Sequence, residues 1–297
     1  MELEQCIDGF LAYAGKQRGY SSHTVKAYGS DLAQFRIWAT TRRPGVSFDL
    51  LMTRQNLRAF IYAQSSRSLK PRTLARKIAT FKSFCRYCMR RKVLADNPAK
   101  TLVSPRLDKP LPSFLTRAQA DALEGVPDKT CGTHLRDRAI IELFYGSGIR
   151  LAELHGLDGN ALDRRGLTVR VLGKGRKERI VPLTPQAVAC IDDYLRHRRV
   201  QSGVLFTTSE GERLSRRQIQ RIVNRELSRV STQKKKSPHV LRHSFATHVM
   251  DGGADIRAVK ELLGHASLAT TQIYTHVSKE RLLAAYRQAH PRSGTNR

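Results

Sequence analysis

Between residues 99 and 113 the chain carries Pro105, Pro110 and Pro112 among Lys100, Arg106 and Lys109. Proline fixes φ and has no amide hydrogen to donate, so neither a helix nor a central strand can run through this stretch. The residue before each proline is pushed toward extended backbone. The pattern predicts an extended basic linker at 105–112 that separates a domain at 1–104 from one at 113–297. A length of 297 residues suits two ordinary domains, and 40% hydrophobic residues suffice for two cores.

The first domain reads as a helical bundle. Leu3, Ile7, Phe10, Leu11 and Ala14 share a face in a helix over 1–20. Ser21, Ser22 and Thr24 are N-cap candidates for a second helix carrying Val25, Tyr28, Leu32, Phe35 and Trp38. A shorter helix follows at 53–64. In a helix over 71–92, Leu74, Ile78, Phe81, Cys85 and Cys88 repeat at spacings of 4, 3, 4 and 3, which makes a core stripe. Lys82, Arg86 and Arg90 repeat on another side, and Arg72 and Arg76 extend the basic character. This helix contains no acid, whereas a merely solvated face would mix Glu with Lys. Arg72, Arg76, Lys82, Arg86 and Arg90 are therefore expected to contact DNA phosphates.

A net charge of +28 marks a polyanion binder. The charge is shared. Residues 1–109 have 21 Lys and Arg against 7 Asp and Glu, and the rest has 32 against 18, so each part carries +14. Both halves would then face one polyanion, as a clamp does. No 18-residue apolar run is present, and the acidic start MELEQCIDGF lacks a signal-peptide pattern, so a cytoplasmic protein is expected. Five cysteines without framework spacing fit a reducing compartment. Cys85 and Cys88 form a CxxC, but no second pair follows, and they read as buried small side chains.

The second domain opens at Thr116 to Gln119, a capping box. A helix at about 133–145 ends at Gly146-Ser147-Gly148, and another begins near Arg150 with Leu151, Glu153 and Leu154. Strands are expected at 166–171 and 178–183, joined by a turn over Leu172 to Lys177. Helices follow at 184–200 and 214–230, then one from Pro238 and a tail helix at 279–290. The fold class is mainly α with a small antiparallel β-sheet.

The chemistry points to 263–276, LGHASLATTQIYTH. Most tyrosines are structural, and this side chain is a poor nucleophile at neutral pH because its pKa is about 10. Bases and cations around it change that. His239 and Arg242 lie three apart on one helix face, and His265 lies nine residues before Tyr274. Arg150 follows a glycine-rich turn, and Lys174 sits in the basic hairpin. Two arginines can hold a phosphate and stabilise a phosphorane-like transition state. Histidines can share a proton near neutral pH, and a tyrosine can form a phosphate ester. Blander readings stand beside each of these. Arg150 could simply pair with Glu153. His239 and His243 could mimic metal ligands, but no glutamate in zincin position and no third ligand accompany them, so no metal is expected. Lys174 lacks P-loop spacing.

At YGSGIRLAEL (145–154), VLGKGRKERIVPL (171–183), SPHVLRHSFATH (237–248) and LLGHASLATTQIYTHV (262–277) the chain resembles the tyrosine site-specific recombinases of the phage integrase family, most closely the bacterial Xer group. SSHTVKAYGSDLAQF (21–35) and NPAKTL (97–102) extend the resemblance to the first domain. It implies that Arg150 and Arg242 clamp the scissile phosphate, Lys174 is the general acid, and His239 assists proton movement. It further implies that His265 supports the phosphate, Glu153 supports the site, and Tyr274 attacks to form a 3′-phosphotyrosine. The ester conserves bond energy, so no ATP and no cofactor are required. The implied fold is a core-binding helical domain and a catalytic domain closing on duplex DNA as a C-shaped clamp, with the tail helix docking into a neighbour. The implied assembly is a homo- or heterotetramer, with a second related recombinase and a DNA translocase as candidate partners. Dimer resolution at segregation is the expected role. A phage or mobile-element integrase is an alternative, and a DNA-binding protein without cleavage is a third. One departure is the lead-in SRVSTQKKKS, which lacks the glycine expected before the Pro238-His239 box.

Overall fold

The computed structural model describes residues 3–66, 69–107, 113–123, 132–173, 178–198, 201–264 and 276–294. The chain forms two compact units, Met1–Pro110 and Leu111–Arg297.

In the first unit, α1 (Leu3–Ala12) continues into a π-helical turn at Tyr13–Gln17. Then come α2 (Ser22–Arg42), α3 (Phe48–Leu51), α4 (Arg54–Ser65) and α5 (Pro71–Arg90). Ser21 caps α2 as its sequence suggests, accepting from the Thr24 amide at 3.1 Å. Pro71 starts α5, where a missing amide hydrogen costs nothing. Ile78, Phe81, Cys85 and Cys88 are buried, and Leu74 packs beside them. Phe35, Phe60 and Phe81 meet edge to face with centroids 5.2–5.6 Å apart. Each such pair adds about 0.5–1.5 kcal/mol beyond area burial.

One feature of α5 is absent from its own sequence pattern. Its acid comes from α2: buried Asp31 accepts from Lys77 Nζ at 3.1 Å, from Thr80 Oγ1 at 2.9 Å and from Arg76. Lys77 is itself buried. The basic face is thus partly neutralised from across the bundle.

The second unit contains α6 (Arg117–Ala122), α7 (Gly132–Ser147) and α8 (Leu151–His155). A three-stranded antiparallel sheet follows, ordered β1 (Leu162–Asp163), β2 (Thr168–Leu172), β3 (Glu178–Pro182). Arg170 stands opposite Ile180 and Val169 opposite Val181. Then come α9 (Pro185–His197), α10 (Arg216–Val230), α11 (Pro238–Asp251), α12 (Ile256–Leu262) and α13 (His276–Ala289). The capping box at Thr116 and Gln119 forms on both sides. α7 is buried nearly all round in this unit's core, which explains why its apolar stripe is broad. β1 was not expected, being only two residues long.

α13 packs on α11 and α12 of its own unit through Leu282, Tyr286 and Ala289. Tyr286 Oη donates to the Gly146 carbonyl at 2.6 Å, at the end of α7. His290 is wholly buried among the rings of Tyr145, Phe245 and Tyr286. Burial favours its neutral imidazole, the nearby charges of Arg292 and His248 act the same way, and the pKa is pushed down to about 3 despite the Tyr145 carbonyl. The unfolded chain therefore takes up a proton on this residue from about pH 6.5 downward, while the fold does not. Stability contributed by neutral His290 is full above that pH and falls by on the order of 3 kcal/mol toward pH 4. Urea midpoints measured across this range should fall more steeply for the native chain than for His290→Gln.

Candidate active site

The turn from α7 into α8 sets up the site. Gly148 sits at φ +60°, and a Cβ there would enter the Phe245 ring, so only glycine fits this turn. Its carbonyl accepts from Arg242 Nη1. Two residues on, Arg150 caps α8 in extended conformation. Glu153 reaches back to the Arg150 amide at 2.7 Å, the acidic half of a capping box.

Both arginines converge on the end of α12. Arg150 Nη2 donates to the Gly264 carbonyl at 3.0 Å, and Arg242 Nη2 donates to the adjacent carbonyl of Leu263. Gly264 adopts φ +62°, which lets α12 end there and delivers the chain to position 265. Arg242 is buried, and its pKa is pushed down to about 10 by that burial and by the charge of Arg150. Its guanidinium still remains charged at neutral pH. Arg150 keeps 37% of its side chain open to solvent. His239 lies exposed one turn before Arg242 on α11.

Glu153 is buried and accepts from Arg150 Nη1 at 2.9 Å, from Arg179 Nη2 at 3.1 Å and from Arg179 Nη1. Burial alone would raise its pKa, but hydrogen bonds from Arg179 and from the Arg150 amide outweigh it and hold the carboxyl below its ordinary value. Glu153 thus stays ionised as the anchor of two guanidiniums.

Arg179 was missed in the sequence. In β3, Glu178 and Ile180 point outward, so Arg179 points inward with Val181. A charged residue at an inward strand position needs a buried partner. Lys174, His265 and Tyr274 lie outside the described residues. Among the described residues, no group of three or more His, Cys, Asp or Glu side chains is gathered to hold a metal ion.

In the first unit, Arg72 and Arg86 are exposed on α5 and Lys82 is partly buried. Arg76 is held by Asp31 and the Ala27 carbonyl, and Arg90 by the Tyr13 hydroxyl. α10 presents Arg217, Arg221 and Asn224 on one exposed side, with exposed Lys234 and Lys235 in the loop after it.

The phage integrase family model matches residues 113–281, and the N-terminal SAM-like domain of phage integrases matches residues 7–92. The chain belongs to the phage integrase family. Tyrosine recombinase XerC of Pelobacter propionicus is 41% identical over 99% of this chain and 97% of its own. Tyrosine recombinase XerC of Myxococcus xanthus is 40% identical over 98% of this chain and 99% of its own. A crystal structure of the XerH site-specific recombinase bound to its difH substrate, in a pre-cleavage complex, shares the fold. Its TM-score is 0.65 at 24% identity, covering 94% of this chain and 83% of that one. As a member of the phage integrase family, this tyrosine recombinase cuts and rejoins DNA at specific sites through a tyrosine intermediate and needs no ATP. Among the described residues no helix is long and apolar enough to cross a membrane.

Proposed function

We propose that Tyr274 attacks the scissile phosphate and becomes a 3′-phosphotyrosine, releasing a 5′ hydroxyl, with Lys174 as the general acid that protonates it. Arg150 and Arg242 hold the non-bridging oxygens, His239 assists the proton of the nucleophile, His265 supports the phosphate and Glu153 fixes Arg150. The observation that carries this reading is the convergence of Arg150 and Arg242 on the successive carbonyls of Leu263 and Gly264, immediately ahead of His265. Two guanidiniums brought together on neighbouring carbonyls suit the two non-bridging oxygens of a phosphate.

Residues 1–104 then serve as the core-binding domain, 105–112 as the linker and 113–297 as the catalytic domain. Arg72 and Arg86, exposed on α5, contact backbone phosphates, with Lys82 beside them. Arg76 and Arg90 contribute more weakly because they already hold partners. Arg217 and Arg221 add contacts from α10. Affinity for a duplex site should fall linearly on a log–log plot against salt, and Arg72→Gln or Arg86→Gln should each reduce the slope by about 0.9. An unchanged slope in gel-shift titrations would remove that residue from the interface.

The biological role is resolution of chromosome or plasmid dimers in the cytoplasm, by a tetramer that includes a second related recombinase or further copies of this chain, with a DNA translocase as activator. Near-full-length similarity to proteins named tyrosine recombinase XerC supports this over integration of a mobile element. The test is denaturing capture of protein-linked host DNA, followed by sequencing. Adducts at one locus near the replication terminus are expected. Adducts beside mobile genes would favour an integrase instead.

A further inference from the structure

Resting on the reading of Arg150 as a phosphate ligand, we infer that Arg179 is a positioning residue of the strand-transfer site. It holds the charge of Glu153 so that Arg150 can turn to the DNA.

Glu153 is shared by two arginines that are not equivalent. Arg150 keeps 37% of its side chain exposed and gives Glu153 one guanidinium hydrogen bond, its other nitrogen going to the Gly264 carbonyl. Arg179 is 10% exposed and meets the carboxylate with both terminal nitrogens. It is also trapped. A Cβ on Gly264 would lie 2.9 Å from Arg179 Nε and 3.1 Å from its Cδ, so the glycine backbone rests directly on the guanidinium. Arg179 Nε is buried and has no hydrogen-bond partner among the described residues. Arg150 is the more exposed arginine and divides its bonds between Glu153 and Gly264, whereas Arg179 is the one enclosed against the carboxylate.

This asymmetry matters when a phosphate arrives. If Glu153 had Arg150 alone, turning Arg150 away would leave a buried carboxylate without a cation, which is strongly unfavourable. Arg150 would stay on Glu153. With Arg179 fixed on the carboxylate, Arg150 leaves a charge that remains matched. The balance of the described groups also suits the chemistry. Three arginines against one carboxylate leave two positive charges for a transition state carrying about two negative ones. Gly264 is the complement: its left-handed backbone and the guanidinium against it both exclude a side chain just ahead of His265.

The experiment measures single-turnover cleavage of a nicked synthetic duplex of the captured site by the full chain. Binding is measured in parallel by fluorescence anisotropy. Arg179→Gln should cleave at least about tenfold more slowly with affinity within about threefold of the native chain. The double variant Arg179→Gln/Glu153→Gln should cleave faster than Arg179→Gln alone, because no carboxylate remains to hold Arg150. A residue needed only for folding would give losses that accumulate. Arg179→Lys keeps a charge beside Glu153 but gives up the two-nitrogen fork, so it should cleave more slowly than native yet clearly faster than Arg150→Gln, which preserves the test if Arg179→Gln does not fold. Native cleavage by Arg179→Gln, a double variant no faster than the single one, or Arg179→Lys as slow as Arg150→Gln would each overturn the inference. Arg150→Gln separates the two levels: if it cleaves normally, the reading of Arg150 itself is wrong. If it is inactive while Arg179→Gln is normal, only the role of Arg179 is wrong.

Discussion

Arg242→Lys should bind DNA nearly as well as the native chain and cleave it about a hundred to a thousand times more slowly. Lysine keeps the charge, so loss of charge cannot account for such a drop. Arg242 is held by two fixed acceptors, the carbonyl of Gly148, two residues before Arg150, and that of Leu263, next to Gly264. A planar guanidinium spans both and still offers further N–H donors to a phosphate, whereas an ammonium is a compact point charge that cannot keep that fork. Losing one donor aimed at a developing oxyanion costs about two to three orders of magnitude in rate. Single-turnover cleavage read beside anisotropy separates this from weaker binding. Native-like cleavage by Arg242→Lys would show that the guanidinium geometry is unimportant.

Arg292→Ala should lower the stability of the second unit by about 3–5 kcal/mol, read as a fall in the urea midpoint. Arg292 Nη1 donates to both oxygens of Glu142 at 2.8 Å, and the guanidinium lies 4.6 Å from the Tyr145 ring centroid. Glu142 is fully buried, so truncation leaves its carboxylate inside the core without this cation. Arg196 and Asp193 give the contrast. Their pair is largely exposed, and Arg196→Ala should change stability by less than about 0.5 kcal/mol. The buried pair also bears on the site. Tyr145 immediately precedes Gly146, whose carbonyl takes the Tyr286 hydroxyl, and Gly148 and Arg150 follow. Arg292→Ala should therefore slow cleavage as well as destabilise, and a large stability loss with native cleavage at low temperature would separate the tail from the site.

Much of the fold could be read from local pattern. The caps at Ser21 and Thr116, the 4-3-4-3 stripe of α5 and the two longer strands each follow from interactions within a few residues. What escaped depends on partners distant in sequence. Lys77 on α5 is buried, its ammonium paired with Asp31 on α2. Arg76 shares that acid, so the basic face is less available than its spacing implied. Of the proposed site, Arg150, Arg242 and Glu153 were singled out by motif and spacing, and the structure brings these side chains together. Arg179 was not, because a single arginine in a five-residue strand carries little signal until Glu153 is seen beneath it. The tail reads as an amphipathic helix in either setting. Its seat on α11 and α12 depends on Tyr286 finding the Gly146 carbonyl 140 residues away, which no local pattern records.

The most direct measurement is to identify the residue that carries the DNA. Protein trapped on a nicked duplex in detergent would be digested with nuclease and protease, and the nucleotide-bearing peptide sequenced by mass spectrometry, with Tyr274→Phe as control. The expected result is a nucleotide joined through its 3′ phosphate to Tyr274, and no adduct from the control. A nucleotide on another residue, or an adduct that survives Tyr274→Phe, would contradict the assignment of the nucleophile and the site built around it.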